Sequence, residues 1–245
     1  MLGQLKVADK SNEITAVPQL LGVLELSGCI VTLDAMGCQK KIAWEIIEAD
    51  ADYVLALKGN QETVHEEVKT FLDDAVAQQQ APRPPGAQVS QAAAGLATLE
   101  TIEKDHGRLE IRRYYQSAEL AWFADRPQWE ALQSVGMVEA TRHVNGRETC
   151  ERRYYLSSLP LDVATFARAV RGHWGVENKL HWTLDVWFRE DQSRARSGYA
   201  AENLATLRRL ALNLLKREKT KKRGVKGKQL NASWNHAFLL RLLEI

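Results

Sequence analysis

Two short apolar runs, one helix-length apart, constrain this chain more than any other feature. Cys29–Leu33 (CIVTL) is continuous, apolar and β-rich, and it ends at Asp34. Tyr53–Leu57 (YVLAL) repeats the pattern and ends at Lys58-Gly59-Asn60-Gln61. Between them, Gln39–Ala49 carries helical periodicity. A crossover helix returns the chain to the end from which the first strand began, so the two strands pair in parallel. Runs without alternation are expected of strands covered on both faces. An α/β core follows, and ligands of such sheets collect at the carboxyl ends of the strands, where Asp34, Lys58 and Asn60 stand together.

The flanking segments extend this plan. Leu2–Val7 reads as a strand, Glu13–Leu26 as a helix interrupted near its start by Pro18, and Thr63–Gln79 as a helix. The stretch QQQAPRPPGAQ marks a boundary. Beyond it, LATLETIEKDHGRLEIRRYY and VGMVEATRHVNGRETCERRYYLSS are strand-turn-strand patterns, with His106-Gly107 and Asn145-Gly146 at the turns. From Asp162 the periodicity is helical: Arg171–Val186 reads as one helix, Ala200–Lys216 as another, and a last helix ends in LLRLLEI. The expected division is 1–80 for the first part of the core, 81–160 for a β-rich insertion, 161–215 for the helical part of the core and 216–245 for a basic segment with a C-terminal helix.

With 245 residues, 45% of them hydrophobic, the chain has enough material for a full core. Its formal net charge is only +2, so the uneven placement of the basic residues matters more than their total. Cys29, Cys38 and Cys150 form no CxxC pair, which points to a reducing compartment and away from a structural zinc knuckle. The start lacks the pattern of a secretory leader, and no apolar run reaches the roughly 20 residues of a membrane helix. A soluble, cytoplasmic protein with no membrane partner is expected.

Glu177 raises the chemical question. It borders the apolar face formed by Val176, Leu180, Thr183, Leu184 and Trp187, with His173 and His181 four residues to either side. An ionised carboxylate beside core residues is costly unless it is paired or bound to a metal. Three arrangements meet that need: a Glu–His ladder serving only the helix, a divalent ion shared with Asp34, or zinc held with His173 and His181. Histidines eight residues apart chelate poorly, and the HExxH spacing is absent. Asp34 also suits a turn or an N-cap, and Asn60 suits a turn. The run KREKTKKRGVKGK, Lys216 to Lys228, suits either a solvated linker or phosphate contacts through Lys219, Lys221, Lys222 and Arg223. Arg194, Arg196, Arg208 and Arg209 extend the positive charge. Trp174, Trp182 and Trp187 read as core or interface rather than as base-stacking platforms.

In this order, VTLDAMGCQKKIA, DYVLALKGNQ, HGRLEIRR and RGHWGVENKLHWTLDVWFREDQSRAR resemble the insertion-sequence transposases of the H-repeat-associated group, within the class that uses a DDE acidic triad. The match runs from Lys6 almost to the C-terminus. The resemblance implies an RNase H-like fold with a β-rich insertion before the last catalytic helix. It also implies strand cleavage and transfer at insertion-sequence ends, dependent on Mg²⁺ or Mn²⁺ with two ions in the complete site. Partners would be end DNA, target DNA and a second copy of the chain, at the nucleoid. On this carry-over Asp34 matches the second acid and Glu177 the third, both as metal ligands, with Lys58 and Asn60 in support. Arg171, His173 and Asn178 belong to the glutamate's signature, where a basic residue contacts phosphate or orients the carboxylate. Related transposases often place arginine four residues before the glutamate and lysine seven after it; here His173 and Leu184 stand there. The family's first catalytic Asp, usually in a DGK context, precedes the region matched by MLGQLKVADKSNE, and Asp9 falls in a later strand and turn. The resemblance therefore implies a truncated transposase, inactive alone and lacking the sheet's first strand. A non-catalytic DNA-binding remnant is the alternative, and a zinc-dependent hydrolase the third reading.

Overall fold

The strand-helix-strand unit folds as its pattern predicts. The computed structural model describes residues 13–81, 95–105, 108–144, 146–176 and 180–244. In chain order the elements are α1 (Glu13–Leu21), β1 (Ile30–Leu33), α2 (Lys40–Glu48), β2 (Asp52–Leu57), α3 (Glu62–Gln80), β3 (Leu96–Asp105), β4 (Arg108–Ser117), β5 (Ser134–Val144), β6 (Arg147–Ser157) and α4 (Val163–Val176). Then come α5 (Trp182–Phe188), α6 (Ala200–Arg217), α7 (Val225–Trp234) and α8 (His236–Leu243). The result is a mixed α/β fold of the RNase H-like class with one mostly antiparallel sheet, ordered β1-β2-β6-β5-β4-β3. Strands β1 and β2 are parallel, with Ile30 opposite Asp52 and Leu33 opposite Leu55. β2 then pairs antiparallel with β6. The β-rich segment is thus hydrogen-bonded through β6 to β2 and continues the sheet of the first two strands.

Three sequence expectations are corrected here. β1 is not fully covered on both faces: Ile30 is 39% exposed and Val31, Thr32 and Leu33 are only half-buried, and among the described strands β1 also lies at the edge. Pro18 does not interrupt its helix; it lies inside α1, where its missing N–H forfeits one helical bond. That helix ends at Leu21 rather than Leu26. The proposed strand Leu2–Val7, the His106-Gly107 turn and Asn145 lie outside the described residues. The flanking registers still close both hairpins over two residues, with Asp105 opposite Arg108 and Val144 opposite Arg147. Gly146 has φ +76°, as a primed turn requires.

The chain divides into two compact units, 2–173 and 174–245. In the first, Ile42, Ala43 and Ile46 of α2 and Val64, Val68, Leu72, Ala75 and Val76 of α3 bury helical stripes against Tyr53, Leu55, Leu57, Val135, Met137, Tyr154 and Leu156. Strand side chains alternate, so Gly136 and Tyr155 face the opposite side of the sheet. There they receive Phe166 of α4, fully buried and edge-on to the Tyr155 ring at 5.6 Å. In the second unit, α5 to α8 enclose a small core of Leu215, Phe238 and Leu242, joined by Phe188, Val225 and Ala232.

Gly136 leaves the notch that Phe166 fills. A Cβ built there would sit 2.4 Å from Phe166 Cζ, inside van der Waals contact. We expect Gly136→Val to lower unfolding free energy by about 1–3 kcal/mol through overpacking, measured by urea denaturation. Adding Phe166→Leu should recover part of that loss. A full additive loss in the double variant would show that the clash lies elsewhere.

Candidate active-site rim and basic loop

The rim begins where β1 ends. Asp34 is extended (φ −73°, ψ −178°), and its Oδ1 accepts from the Met36 amide at 3.1 Å, capping a one-turn helix over Ala35–Gly37. The capping role expected of an Asp here is therefore present, and the carboxylate remains exposed. The turn folds back tightly on β1, since a Cβ at Gly37 would lie 2.8 Å from Leu33 Cβ. After β2, Lys58 is extended and exposed, followed by a second single turn, Gly59–Gln61. The two turns are joined by side-chain amides: Asn60 Nδ2 donates to the Ala35 carbonyl, and Gln61 Nε2 to the Cys38 carbonyl at 3.2 Å. Asp34, Lys58 and Asn60 do share one rim, as the parallel pairing predicts. The sequence reading missed Gln61, whose signal was the adjacent polar pair Asn60-Gln61.

Helix α4 reaches this rim from the other end of the sheet. Asp162 starts it: Oδ1 accepts from the Ala164 and Thr165 amides at 3.1 Å each, and Oδ2 from the Thr165 hydroxyl at 2.6 Å. The Thr165 hydroxyl and then the backbone amides hold the Asp162 carboxyl below its ordinary range. A buried polar chain sets the approach, in which Gln116 Nε2 donates to Ser134 Oγ (2.8 Å) and the Pro160 carbonyl (3.0 Å), and Ser134 Oγ donates to the Leu159 carbonyl (2.7 Å). At the far end, His173 Nδ1 lies 3.2 Å from Thr32 Oγ1 on β1. Arg171 is drawn to the hairpin instead, its Nη2 donating to both Glu103 oxygens at 3.0 and 2.7 Å. Glu177 and Asn178 lie outside the described residues.

The segment after them departs from the expected apolar stripe. Of its members Thr183 and Leu184 are buried, but Val176 is 47% exposed. Trp182, read from the sequence as core or interface, is 52% exposed and packs edge-on against the half-buried Trp187 at 5.5 Å. Asp185, which the sequence reading passed over, has its carboxyl raised above the usual range by burial and then by neighbouring Asp191 and Glu190. Three acids within seven residues were the available signal. Among the described residues no three His, Cys, Asp or Glu side chains are grouped to hold a metal. Cys29 and Cys150 are exposed thiols, and burial pushes the Cys38 thiol up to about 12.

The basic residues fall into distinct settings. Arg194 and Arg196 are exposed between α5 and α6. Arg209 Nη1 donates to Glu190 Oε1 at 3.1 Å. Lys219, Lys221, Lys222 and Arg223 are exposed on the loop between α6 and α7. Lys228 corrects the picture of a uniformly solvated run, being only 8% exposed. No helix among the described residues is long and apolar enough to cross a membrane.

Residues 1–214 match the family described as the transposase DDE domain. YncI of Escherichia coli O157:H7, named as a transposase, is 38% identical over 247 residues, covering 99% of this chain and 60% of that relative. The H repeat-associated YhhI of Escherichia coli strain K12, also named as a transposase, is 36% identical over 250 residues, covering 99% of this chain and 62% of that relative. A protein in the dhlA 3′ region of Xanthobacter autotrophicus is 42% identical over 162 residues, covering 66% of this chain and 50% of its own length. The chain spans about three fifths of the length of the two Escherichia coli relatives.

The Asp162 cap gives α4 a pH signature. A carboxyl held lower in the fold than in the unfolded chain adds stability above about pH 4, and that stability is lost as pH falls through the folded value. Asp162→Asn keeps an acceptor for the amides and removes the charge. Its urea midpoint should therefore fall less than the wild type's between pH 7 and pH 3. Parallel losses in the two proteins would mean that Asp162 contributes nothing to acid sensitivity.

Proposed function

Because this chain belongs to the family of transposases with a DDE domain, we propose that Asp34 and Glu177 are two of the acidic metal ligands for cutting and joining DNA strands at insertion-sequence ends. The observation that carries this reading is the hydrogen bond between Thr32 and His173. Thr32 lies on β1 and Asp34, still extended, follows its end two residues later, so the two side chains point to the same side of the chain. In the sequence His173 precedes Glu177 by four residues. A tie between Thr32 and His173 therefore supports the reading by bringing His173, a member of the glutamate's signature, to the strand that leads into Asp34.

The donor chemistry fits a hard cation. Asp34 offers an exposed carboxylate with one oxygen already fixed by the Met36 amide, which limits its rotation. Oxygen donors suit Mg²⁺ or Mn²⁺, and two such ions, when bound, activate a water and stabilise the leaving oxygen in phosphodiester chemistry. Asn60 and Gln61 brace the turn that carries Asp34, and Lys58 supplies a cation for a phosphate at the same rim. Arg171, engaged by Glu103, acts by anchoring α4. Asn178 stands beside Glu177 in the same signature. Arg194, Arg196, Lys219, Lys221, Lys222 and Arg223 serve the DNA backbone.

In this reading 1–80 and 161–215 form the catalytic core, 81–160 is the β-rich insertion that extends its sheet, and 216–245 contacts DNA, all acting in the cytoplasm at the nucleoid. Two of the three carried-over acids stand in these 245 residues, and a two-ion site needs ligands that fix both ions. On this reading Asp34 and Glu177 by themselves do not fix both ions, and the 245 residues tested alone are expected to leave DNA uncut.

Two measurements on the purified 245-residue protein test this. Mn²⁺ binding followed by electron paramagnetic resonance should disappear in Asp34→Asn and in Glu177→Gln. It should weaken on the order of tenfold in Thr32→Val, as for residues that orient metal ligands. Unchanged affinity in both acid variants would remove the assignment. Labelled duplexes carrying element ends should remain uncut with Mg²⁺ or Mn²⁺. Cleavage that Glu177→Ala abolishes would show that another side chain supplies the third ligand.

A further inference from the structure

The loop between α6 and α7 is organised by a buried ion pair that the proposed chemistry does not use. Glu218 is only 1% exposed, yet four cations, Lys219, Lys221, Lys222 and Arg223, follow it within five residues on the surface. Its Oε1 accepts from the Thr220 amide at 2.7 Å and from the Thr220 hydroxyl, and its Oε2 accepts from the Lys221 amide at 3.3 Å. The Thr220 hydroxyl and then burial act in opposite directions on its carboxyl, and the balance lies below the ordinary range. On the far side Lys228 Nζ lies 3.7 Å from Glu218 Oε2 and donates to the carbonyls of Leu215 (3.1 Å) and Glu218, satisfying acceptors at the end of α6.

This arrangement opposes what the sequence would do unaided. A segment of like charges repels itself and extends. Here the Glu218 carboxylate closes it into a turn, and the Glu218–Lys228 pair cancels its own charge inside the protein. The exposed remainder is uniformly positive. Buried ion pairs are poor sources of stability compared with apolar side chains of the same size, and their clearest use is to select one conformation. What they select here is one backbone course for the segment that carries the cations.

We propose that Glu218 is a positioning residue for contact with the backbone of duplex DNA, holding Lys219, Lys221, Lys222 and Arg223 in a preformed, sequence-independent phosphate clamp. This rests on the reading that the chain acts on DNA. Duplex DNA offers about one charge per 1.7 Å of axis, a density to which a rigid cluster gains more than a flexible one. Lys228 acts through Glu218 in the same way.

The test measures binding of the 245-residue protein to a fluorescent duplex of random sequence across a salt series. Neutralising all four cations should weaken binding and reduce the logarithmic salt slope by roughly 2–4, at about 0.9 per lost phosphate contact. Glu218→Gln separates positioning from charge. It makes the protein more positive, so charge alone predicts tighter binding, whereas a positioning role predicts binding weaker by on the order of tenfold with a slope reduced by about one contact. Amide exchange at Thr220 and Lys221 should rise in the same variant. Should Glu218→Gln fail to fold, Thr220→Val carries the test, since it removes one donor without changing charge. Weaker binding by a folded Thr220→Val protein supports the proposal. Equal or tighter binding by folded Glu218→Gln or Thr220→Val overturns it. Wild-type binding that persists unchanged after the four neutralisations leaves the DNA reading standing and overturns the clamp. Absence of wild-type DNA binding, or preference for phosphatidylserine vesicles over the duplex, overturns the partner.

Discussion

Helix α4 can carry site chemistry only if it lies close to the sheet, and the contact that permits this is Phe166 in the notch of Gly136. Burying one such ring contributes about 1.5–3 kcal/mol, more than any surface ion pair nearby. Alanine at position 136 would already push the ring away, and the helix with it. The rest of α4 follows from that seat. Ala167 and Val170 continue the buried stripe, the Asp162 cap fixes the start, and His173 meets Thr32 three turns later. The distance from notch to rim is therefore set by helix geometry rather than by a loop.

Charge has a different task in the outer half of the sheet. Glu100, Arg113, Glu139 and Arg152 stand opposite one another on β3, β4, β5 and β6. They form an alternating row, with Arg113 Nε 2.7 Å from Glu100, Arg152 Nη2 2.7 Å from Glu139, and Arg152 Nη1 2.9 Å from Asp73 of α3. Glu110, on the other face, is 2% exposed and receives Arg112 Nη2 at 2.6 Å and Arg142 Nε at 2.9 Å. Removing one member of such a set leaves a buried charge without its partner, which costs more than the pair contributes. Opposite charges on facing positions also fix register, because a slip by one residue would turn every member of the row to the wrong face. Long strands with polar outer ends thus acquire one pairing.

Much of this was legible in the sequence where periodicity and turn chemistry agree. The parallel pair, both two-residue hairpins and the Asp34–Lys58 rim all follow from short-range patterns. The edge position of β1 was not legible, because an apolar run looks alike whether a strand has one neighbour or two. Val176 misled for a related reason: its spacing suited a stripe, but its 47% exposure is decided by what packs on the helix, which lies outside the pattern. Thr32 carried no signal at all. It is an ordinary β-branched strand residue until His173 arrives from 141 positions away, and a contact of that separation has no local trace.

The rim and the basic loop solve one problem with opposite materials. At the rim the backbone of the Asp34 turn is held by neutral amides, Asn60 and Gln61, so the brace adds no charge near the carboxylate. A lysine in either place would pair with the Asp34 carboxylate and repel any cation it held. In the loop the brace is the carboxylate of Glu218, and its charge is cancelled by buried Lys228 before it can offset the exposed cations. A neutral amide there would bind the Thr220 and Lys221 amides less firmly than an ionised acceptor does. It would also leave Lys228 as a buried, uncompensated charge. Each brace is therefore matched to the sign of the group it presents, and exchanging amide for carboxylate would damage both sites through electrostatics rather than through packing.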